Sequence, residues 1–524
     1  MVHFARATYQ PCLSFSILLS TTWRNLNFVT LAVALMSHEE RIEKVNNAVL
    51  TIRKIVDKEF YPHYHIAPYA SYMNTPCGMI YFKGLYHVFY QHQPFAEEFG
   101  PMHWGHCTSE NMIYWRHHPV ALAPGEDWDR DGCFSGTSVV YDDRLYVFYT
   151  GHHWLTDSAD ESQIYQMQCL AISENGFDFE KRGMVVKPPA GFTHFRDPYV
   201  WFQDGRWWMV CGGRDSKDQG QLLLYSTDDL EDWDDSTFTI LSKSENRNVY
   251  MWEHPCFFPL KRHQMLMFSL KGMQPEEYMS RNRYETGLLM GLWRPNTIFS
   301  LTSMFKELDL GHDFYGAQSF LTRDGRRVFI GWLDMWDTNM PTKEHHWTGM
   351  LSLPRVLLVD ETSGRIRTPP IKELESIRGK YQCLERQTVR DNSQIRLLLA
   401  CTSYEVRIVF DVEKSTGEKY GLWLGRGLEI YIDNQSKRLV VNRHYPNYGI
   451  SGYRSYALPP QTLLLVHAYF DMSSVEVFVN EGEAVLSTRI YPAQNDRVLS
   501  LFAVNGTAYV TRGDIWALNK PVMQ

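Results

Sequence analysis

Residues Ser71-Tyr72-Met73-Asn74-Thr75-Pro76-Cys77-Gly78 carry the reading of the fold, because the chain downstream repeats their layout. Met79-Ile80-Tyr81-Phe82 follows, then a turn at Lys83-Gly84 and an aromatic strand, Tyr86-His87-Val88-Phe89-Tyr90. Asn-x-Pro-x-Gly bends a backbone tightly and displays the residue between Asn and Pro on a constrained strand end. That displayed position, where a site would be built, holds Thr75.

Four more units of the same form follow, at a period of roughly 50–60 residues. The second has Phe134-Ser135-Gly136 and then Leu145-Tyr146-Val147-Phe148-Tyr149. The third has Arg196-Asp197-Pro198 before Arg206-Trp207-Trp208-Met209-Val210. The fourth pairs Trp252-Glu253-His254-Pro255 with Met265-Leu266-Met267-Phe268, and the fifth pairs Asp313-Phe314-Tyr315 with Arg327-Val328-Phe329-Ile330-Gly331-Trp332. Five units of three or four short strands describe a five-bladed β-propeller. The innermost strand of each blade lines the axial channel, so Asn74, Ser135, Asp197, Glu253 and Asp313 are expected to converge on one pocket. A single acidic residue at a strand start is usually a turn former; several in one phase of a repeat are much less so.

After Pro369-Pro370 the pattern changes. A short helical linker is expected over 371–390. Clean alternation then runs through 395–399, 404–410, 428–432, 438–442, 475–479 and 499–504, the pattern of a β-sandwich. The expected organisation is an N-terminal extension (1–35), a helix (36–60), the propeller (61–370), the linker (371–390) and the sandwich (391–524). The fold class is all-β.

At the N-terminus, Cys12 to Ser20 and Phe28 to Met36 are apolar but are split by Trp23-Arg24-Asn25. Neither reaches the roughly 20 residues needed to span a bilayer. Arg6 ahead of a short apolar run resembles a signal peptide weakly. Against that, Ser37 and Glu40 form a capping box, and Ile42, Val45, Val49, Ile52 and Val56 recur at helical spacing. Residues 1–35 are therefore read as an extension outside the fold, with targeting as the alternative.

The 524 residues carry a net charge of −8 and no basic run, which argues against nucleic acid and anionic membrane surfaces as partners. Aromatics make 14% of the chain, a surplus that suits β-sheet cores and, secondarily, sugar binding. Nine cysteines without close spacing read as reduced thiols of a cytoplasmic protein.

Two carboxylates facing each other across an aromatic-lined channel suit glycosidic bond cleavage. Glu253, on an otherwise apolar strand, is the candidate general acid, its pKa expected to be raised by desolvation. Asp197, beside Arg196, is expected to stay ionised and to bind sugar hydroxyls.

The chain resembles glycoside hydrolase family 32, the family of sucrose hydrolases, from about His65 to its C-terminus. The motifs that carry the resemblance are Phe60-Tyr61-Pro62-His63-Tyr64-His65, Gly100-Pro101-Met102-His103-Trp104-Gly105-His106 and Asp131-Gly132-Cys133-Phe134-Ser135-Gly136. His194-Phe195-Arg196-Asp197-Pro198, Gly311-His312-Asp313-Phe314-Tyr315 and Asp471-Met472-Ser473-Ser474-Val475-Glu476-Val477-Phe478 complete them. The resemblance implies a propeller joined to a sandwich. It also implies retaining hydrolysis of sucrose or short fructosides through a covalent fructosyl intermediate, without metal or organic cofactor. By position it makes Glu253 the acid/base and Asp197 the transition-state stabiliser, with Asn74, Gln91, Trp104, Phe134, Ser135, Arg196 and Tyr315 in the sugar pocket.

Two motifs depart from the family pattern. Where the family has Trp-Met-Asn-Asp-Pro-Asn-Gly, this chain has Tyr72-Met73-Asn74-Thr75-Pro76-Cys77-Gly78, so Thr75 occupies the nucleophile position. Where Glu-Cys-Pro-Asp is common, it has Glu253-His254-Pro255-Cys256. A threonine hydroxyl attacks poorly unless a base activates it. Three readings stay open: a sugar-binding pseudoenzyme, a fructosidase working by an altered route such as a Cys77 thiolate, and a thiol or metal site built from Cys77, His254 and Cys256.

Overall fold

The computed structural model describes residues 36–156, 160–244, 248–295, 297–397 and 401–521. The expectation for residues 1–35 lies outside the described residues, as does the end of the 395–399 run. Among the described residues no helix is long and apolar enough to cross a membrane.

Helix α1 (His38–Arg53) begins where the capping box places it: Glu40 N donates to Ser37 Oγ at 3.2 Å and Ser37 N to Glu40 Oε2 at 2.7 Å. These bonds satisfy donors that a helix start otherwise leaves free. Val45 and Val49 are buried beneath the helix, which lies on the fourth strand of the first blade.

Five antiparallel sheets follow, one for each repeat. Their innermost strands are Ser71–Phe82, Gly132–Tyr141, Phe192–Gln203, Met251–Leu260 and Tyr315–Leu321. Each adjoins the next, and the last adjoins the first, which closes the ring. A short returning strand, Trp347–Thr348, pairs in parallel with Ser71 and Tyr72 and fastens the fifth blade to the first. All-β architecture follows from the sequence pattern: β-branched and aromatic residues on strands, with Gly, Asp and Lys at turns.

Each inner strand carries a β-bulge at the same place. Asn74-Thr75 lie opposite Gln91, Asp197-Pro198 opposite Cys211, His254-Pro255 opposite Phe268 and Gly316-Ala317 opposite Gly331. In the second blade the register shifts between Phe134 and Gly136, at Ser135. Bulges bend a strand and re-aim side chains, and here they bring two neighbouring residues of each of the first four inner strands to the cavity. Asp197, His254 and Gly316 take positive φ values of 63°, 50° and 60°.

This register corrects one expectation. The fifth blade's in-phase residue is Gly316, three residues after Asp313. Asp313 is fully buried away from the pocket, where it pairs with Arg443 and accepts from Arg489 N at 2.8 Å. An acidic residue three positions before the bulge leaves the channel and meets the sandwich.

The sandwich has a seven-stranded and a six-stranded sheet enclosing an aliphatic core. The expected helical linker is helical only over Lys372–Ile377, as a 3-10 turn. Arg378–Leu384 is already an edge strand of the sandwich, paired with Ala508–Leu518. It is held there by Arg378, whose Nε donates to Glu405 at 2.7 Å and whose guanidinium stacks on Trp516.

Buried charges join propeller and sandwich. His65 lies between Asp471 Oδ2 at 2.8 Å and Glu476 Oε1 at 3.0 Å. Burial opposes its charge, but the two carboxylates win and push it up to about 9. Arg355 bridges Asp309 and Glu476, and Arg489 binds Asp334 at 2.6 Å.

Candidate active site

The bulged residues open into one axial cavity of about 340 Å³, of a size for a small ligand. Asn74, Thr75, Gln91, Phe134, Ser135, Arg196, Asp197 and Glu253 all line it. Trp104 and Tyr315 stand behind the wall, both fully buried. Trp104 Nε1 donates to Phe134 O at 3.0 Å, and Tyr315 Oη donates to Glu253 Oε2 at 2.6 Å.

The hydrogen-bond partners of Thr75 are neutral groups. Its amide donates to Asn74 Oδ1 at 2.7 Å, and its hydroxyl lies 3.3 Å from Ser135 Oγ. Asn74 Nδ2 donates to Tyr72 Oη at 2.6 Å, and Gln91 Nε2 to Cys133 O at 3.0 Å. Both amides are therefore fixed before any ligand arrives.

Asp197 is held from two sides. Its backbone N donates to Thr150 Oγ1 at 2.9 Å, and its Oδ2 accepts from His254 N at 3.0 Å. Arg196 follows it in space only loosely. The guanidinium turns to Glu253, with Nε to Oε1 at 2.8 Å, and to His194 Nδ1 at 2.8 Å.

Glu253 does not behave as the apolar strand suggests. Burial pushes its pKa up, but Lys271, Arg196, His254 and the Tyr315 hydroxyl together hold it far below the usual carboxylate range. Lys271 Nζ is 3.1 Å from Glu253 Oε1. Desolvation is outweighed by two cations within contact distance.

Cys77 and Cys256 do not reach the cavity. Cys77 packs with Phe89 and Trp104, and burial pushes its thiol well up. The bulge at Asn74-Thr75 breaks the alternation that would place it on Thr75's face. Cys256 is buried among Phe257, Met267 and Trp293, its thiol pushed up to about 12 by burial. Neither is a thiolate at neutral pH. Among the described residues the one grouping of three metal-competent side chains is Asp57, Glu59 and His345, outside the cavity. The thiol-nucleophile and thiol-metal readings therefore fail on burial.

Sequence reading missed Lys271, His152, Tyr284 and Trp336, all of which line the cavity. Lys271, His152 and the anticipated Gln91 lie at or near the ends of second strands. Lys271 and His152 pair with Met251 and Gly132, each two residues before a cavity residue, and that shared phase was the available signal. His152 stacks on Phe134 with centroids 4.3 Å apart, and Trp336 packs at 4.9 Å against Tyr315.

The chain belongs to glycoside hydrolase family 32: residues 65–370 match the N-terminal domain of that family and residues 373–517 its C-terminal domain. It is 45% identical over 481 residues to a sucrose-6-phosphate hydrolase of Escherichia coli, covering 92% of this chain and 99% of the relative. A raffinose invertase of Escherichia coli is 46% identical over 480 residues, covering 92% of this chain and 100% of the relative. Among solved structures, a Bombyx mori beta-fructofuranosidase superposes with a TM-score of 0.80 at 30% identity, covering 93% of this chain and 99% of the other.

Proposed function

We propose that the protein hydrolyses the terminal fructosyl bond of sucrose or a related β-fructofuranoside in the axial cavity. The observation that carries this reading is the convergence of Asp197 and Glu253 on one cavity with Asn74, Gln91, Ser135 and Arg196. The relatives' names support it, since they are sucrose-6-phosphate hydrolases and an invertase. So does a solved complex of an aspartate-to-alanine Bombyx mori beta-fructofuranosidase with sucrose, 31% identical to this chain. A non-catalytic sugar binder finds no support among these relatives.

In this reading Glu253 delivers a proton to the leaving oxygen, and Asp197 holds fructose hydroxyls while positive charge develops at the anomeric carbon. Asn74, Gln91, Ser135 and Arg196 orient the sugar, and Phe134 stacked on His152 offers it an apolar face. Trp104 and Tyr315 position Phe134 and Glu253 from behind. Thr75 supplies no carboxylate, which predicts turnover lower by on the order of 10⁴–10⁶ than with an aspartate there. Work in the cytoplasm fits the described cysteines, all unpaired.

The test follows fructose release from sucrose by the full chain and by its Thr75→Asp variant over a day. Fast release by Thr75→Asp, abolished by adding Glu253→Gln, is the expected result. An inactive Thr75→Asp protein that binds no fructose by calorimetry would overturn the reading.

A further inference from the structure

Asp197 lies at a bulge, outside the ladder of its own sheet. Arg196 pairs with Gly212 and Tyr199 with Val210, while Asp197 and Pro198 between them face Cys211 alone. Pro198 has no N–H, so the Asp197 amide is the donor that the bulge leaves over. Asp197 is only 3% exposed and takes φ 63°, a conformation that a non-glycine residue keeps where its surroundings over-determine it.

Those surroundings come from the second blade. The Asp197 amide donates to Thr150 Oγ1 at 2.9 Å. Thr150 stands on the second strand of that blade, Arg144–Trp154, opposite Gln168 on the third, Ile164–Ser173. Phe195 decides which way these hydrogen bonds run. Gln168 Nε2 donates to Phe195 O at 3.1 Å, which leaves Oε1 as the end turned to Thr150. An amide oxygen only accepts, so the Thr150 hydroxyl donates to it, at 2.9 Å. The lone pairs of that hydroxyl are then left for the Asp197 amide. Gln166, two residues from Gln168 on the same strand, accepts from Phe195 N at 3.1 Å. The backbone is thus gripped on both sides of Arg196 by side chains of the neighbouring blade.

Thr150 and Gln168 are fully buried and neither lines the cavity, so neither touches a sugar held there. What they can do is aim. The same device recurs at the fifth blade. There the amide of the bulge residue Gly316 donates to Thr286 Oγ1 of the fourth blade at 3.0 Å, and that oxygen lies 2.8 Å from Ser269 Oγ. In both seams a buried hydroxyl of the preceding blade takes the bulge amide, and a second polar side chain holds the hydroxyl.

We infer that Thr150 is a positioning residue for Asp197, with Gln168 setting the direction of its hydroxyl. Together they fix the backbone from which the Asp197 carboxylate reaches into the cavity, while the His254 amide holds Oδ2 from the other side. The inference rests on the fructoside reading above, in which that carboxylate holds the sugar.

The experiment measures fructose release from sucrose by the full chain carrying Thr75→Asp, alone and with Thr150→Val, Thr150→Ser or Gln168→Met added. Valine keeps the shape of threonine but offers the Asp197 amide no acceptor. Thr150→Val is expected to lose about 10–10²-fold in kcat, the scale of a small misplacement of a catalytic group, with KM changed far less. Thr150→Ser keeps the hydroxyl and loses the methyl group, and should stay within about threefold of the parent. Gln168→Met leaves the hydroxyl its lone pairs but removes its direction, and should fall between the two. A merely structural role would make the loss follow the methyl group and the melting temperature instead of the hydroxyl.

Equal losses in Thr150→Val and Thr150→Ser overturn the inference, as does a Thr150→Val protein as fast as the parent; the fructoside reading then stands. If Thr150→Val does not fold, Gln168→Met decides, and parental kcat in that variant overturns the inference. A Thr75→Asp protein that binds fructose without turnover moves the same comparison to fructose affinity by calorimetry. One that neither releases nor binds fructose defeats both readings together.

Discussion

Lys271 Nζ lies 3.1 Å from Glu253 Oε1, on the same carboxylate oxygen that Arg196 binds. Two cations on one oxygen make Glu253 a carboxylate at rest, and an acid only after a proton has been forced onto it. In the proposed reaction, the charge of Lys271 is thus a brake on Glu253 as proton donor.

Replacing Lys271 by methionine should release that brake. The Glu253 pKa should rise by about 1–3 units, the scale of one opposite charge removed at this range. The alkaline limb of the kcat/KM profile, where Glu253 loses its proton, should move to higher pH by the same amount, with the fold unchanged by circular dichroism. An unmoved alkaline limb would show that Arg196 alone sets the ionisation.

The contact between Gly316 and Thr75 predicts a coupling. Gly316→Ala puts a Cβ at φ 60° and into the Thr75 methyl group. The conformational part costs about 1–2 kcal/mol, and overpacking adds about 1–3 kcal/mol. Thr75→Ser removes the methyl but leaves the backbone, so the double variant should recover only the overpacking part. Denaturant midpoints of the four proteins give the coupling, expected at about 0.5–3 kcal/mol.

Glu285 and Glu307 face each other, both largely buried, in a small pocket with Arg454. Burial first, and the neighbouring Glu307 second, raise the Glu285 pKa far above the ordinary value. A carboxyl that keeps its proton in the folded state and loses it in the unfolded state costs stability as pH rises. The loss accumulates from about pH 4.5, the ordinary value, to about pH 9. Glu285→Gln, neutral at every pH, should therefore stabilise the protein at pH 7 and make little difference at pH 4. Urea melts at the two pH values check it.

Arg355 is fully buried and holds Asp309 and Glu476, one from each half of the molecule. Arg355→Met would leave two carboxylates buried without their cation. The expected destabilisation is about 3–5 kcal/mol, read as a lower denaturation midpoint. A loss below 1 kcal/mol would mean that water or His65 replaces the guanidinium.

Much of the architecture was legible because β-propellers repeat. The alternation of polar and apolar residues, the turn glycines and the fivefold return of an aromatic second strand are local signals. They were enough to give the propeller, the sandwich, the capped helix at His38 and part of the pocket wall. Asn74, Ser135 and Asp197 were found because they recur at one phase of the unit, and Glu253 because it stands one residue before that phase.

Residues that act by distance rather than by phase were decided by the tertiary structure. Asp313 stands in an acidic motif like the others, yet the bulge falls three residues later, at Gly316, and its carboxylate turns to Arg443 in the sandwich. Desolvation of Glu253 could be read from its apolar neighbours, but Lys271 arrives from the adjacent strand and reverses the sign. Thr75 and His254, 179 positions apart in the chain, both come up against Gly316 only because separate blades meet at the axis. Sequence periodicity specifies which face a residue takes; charge and contact depend on through-space separation, which only closure of the ring determines.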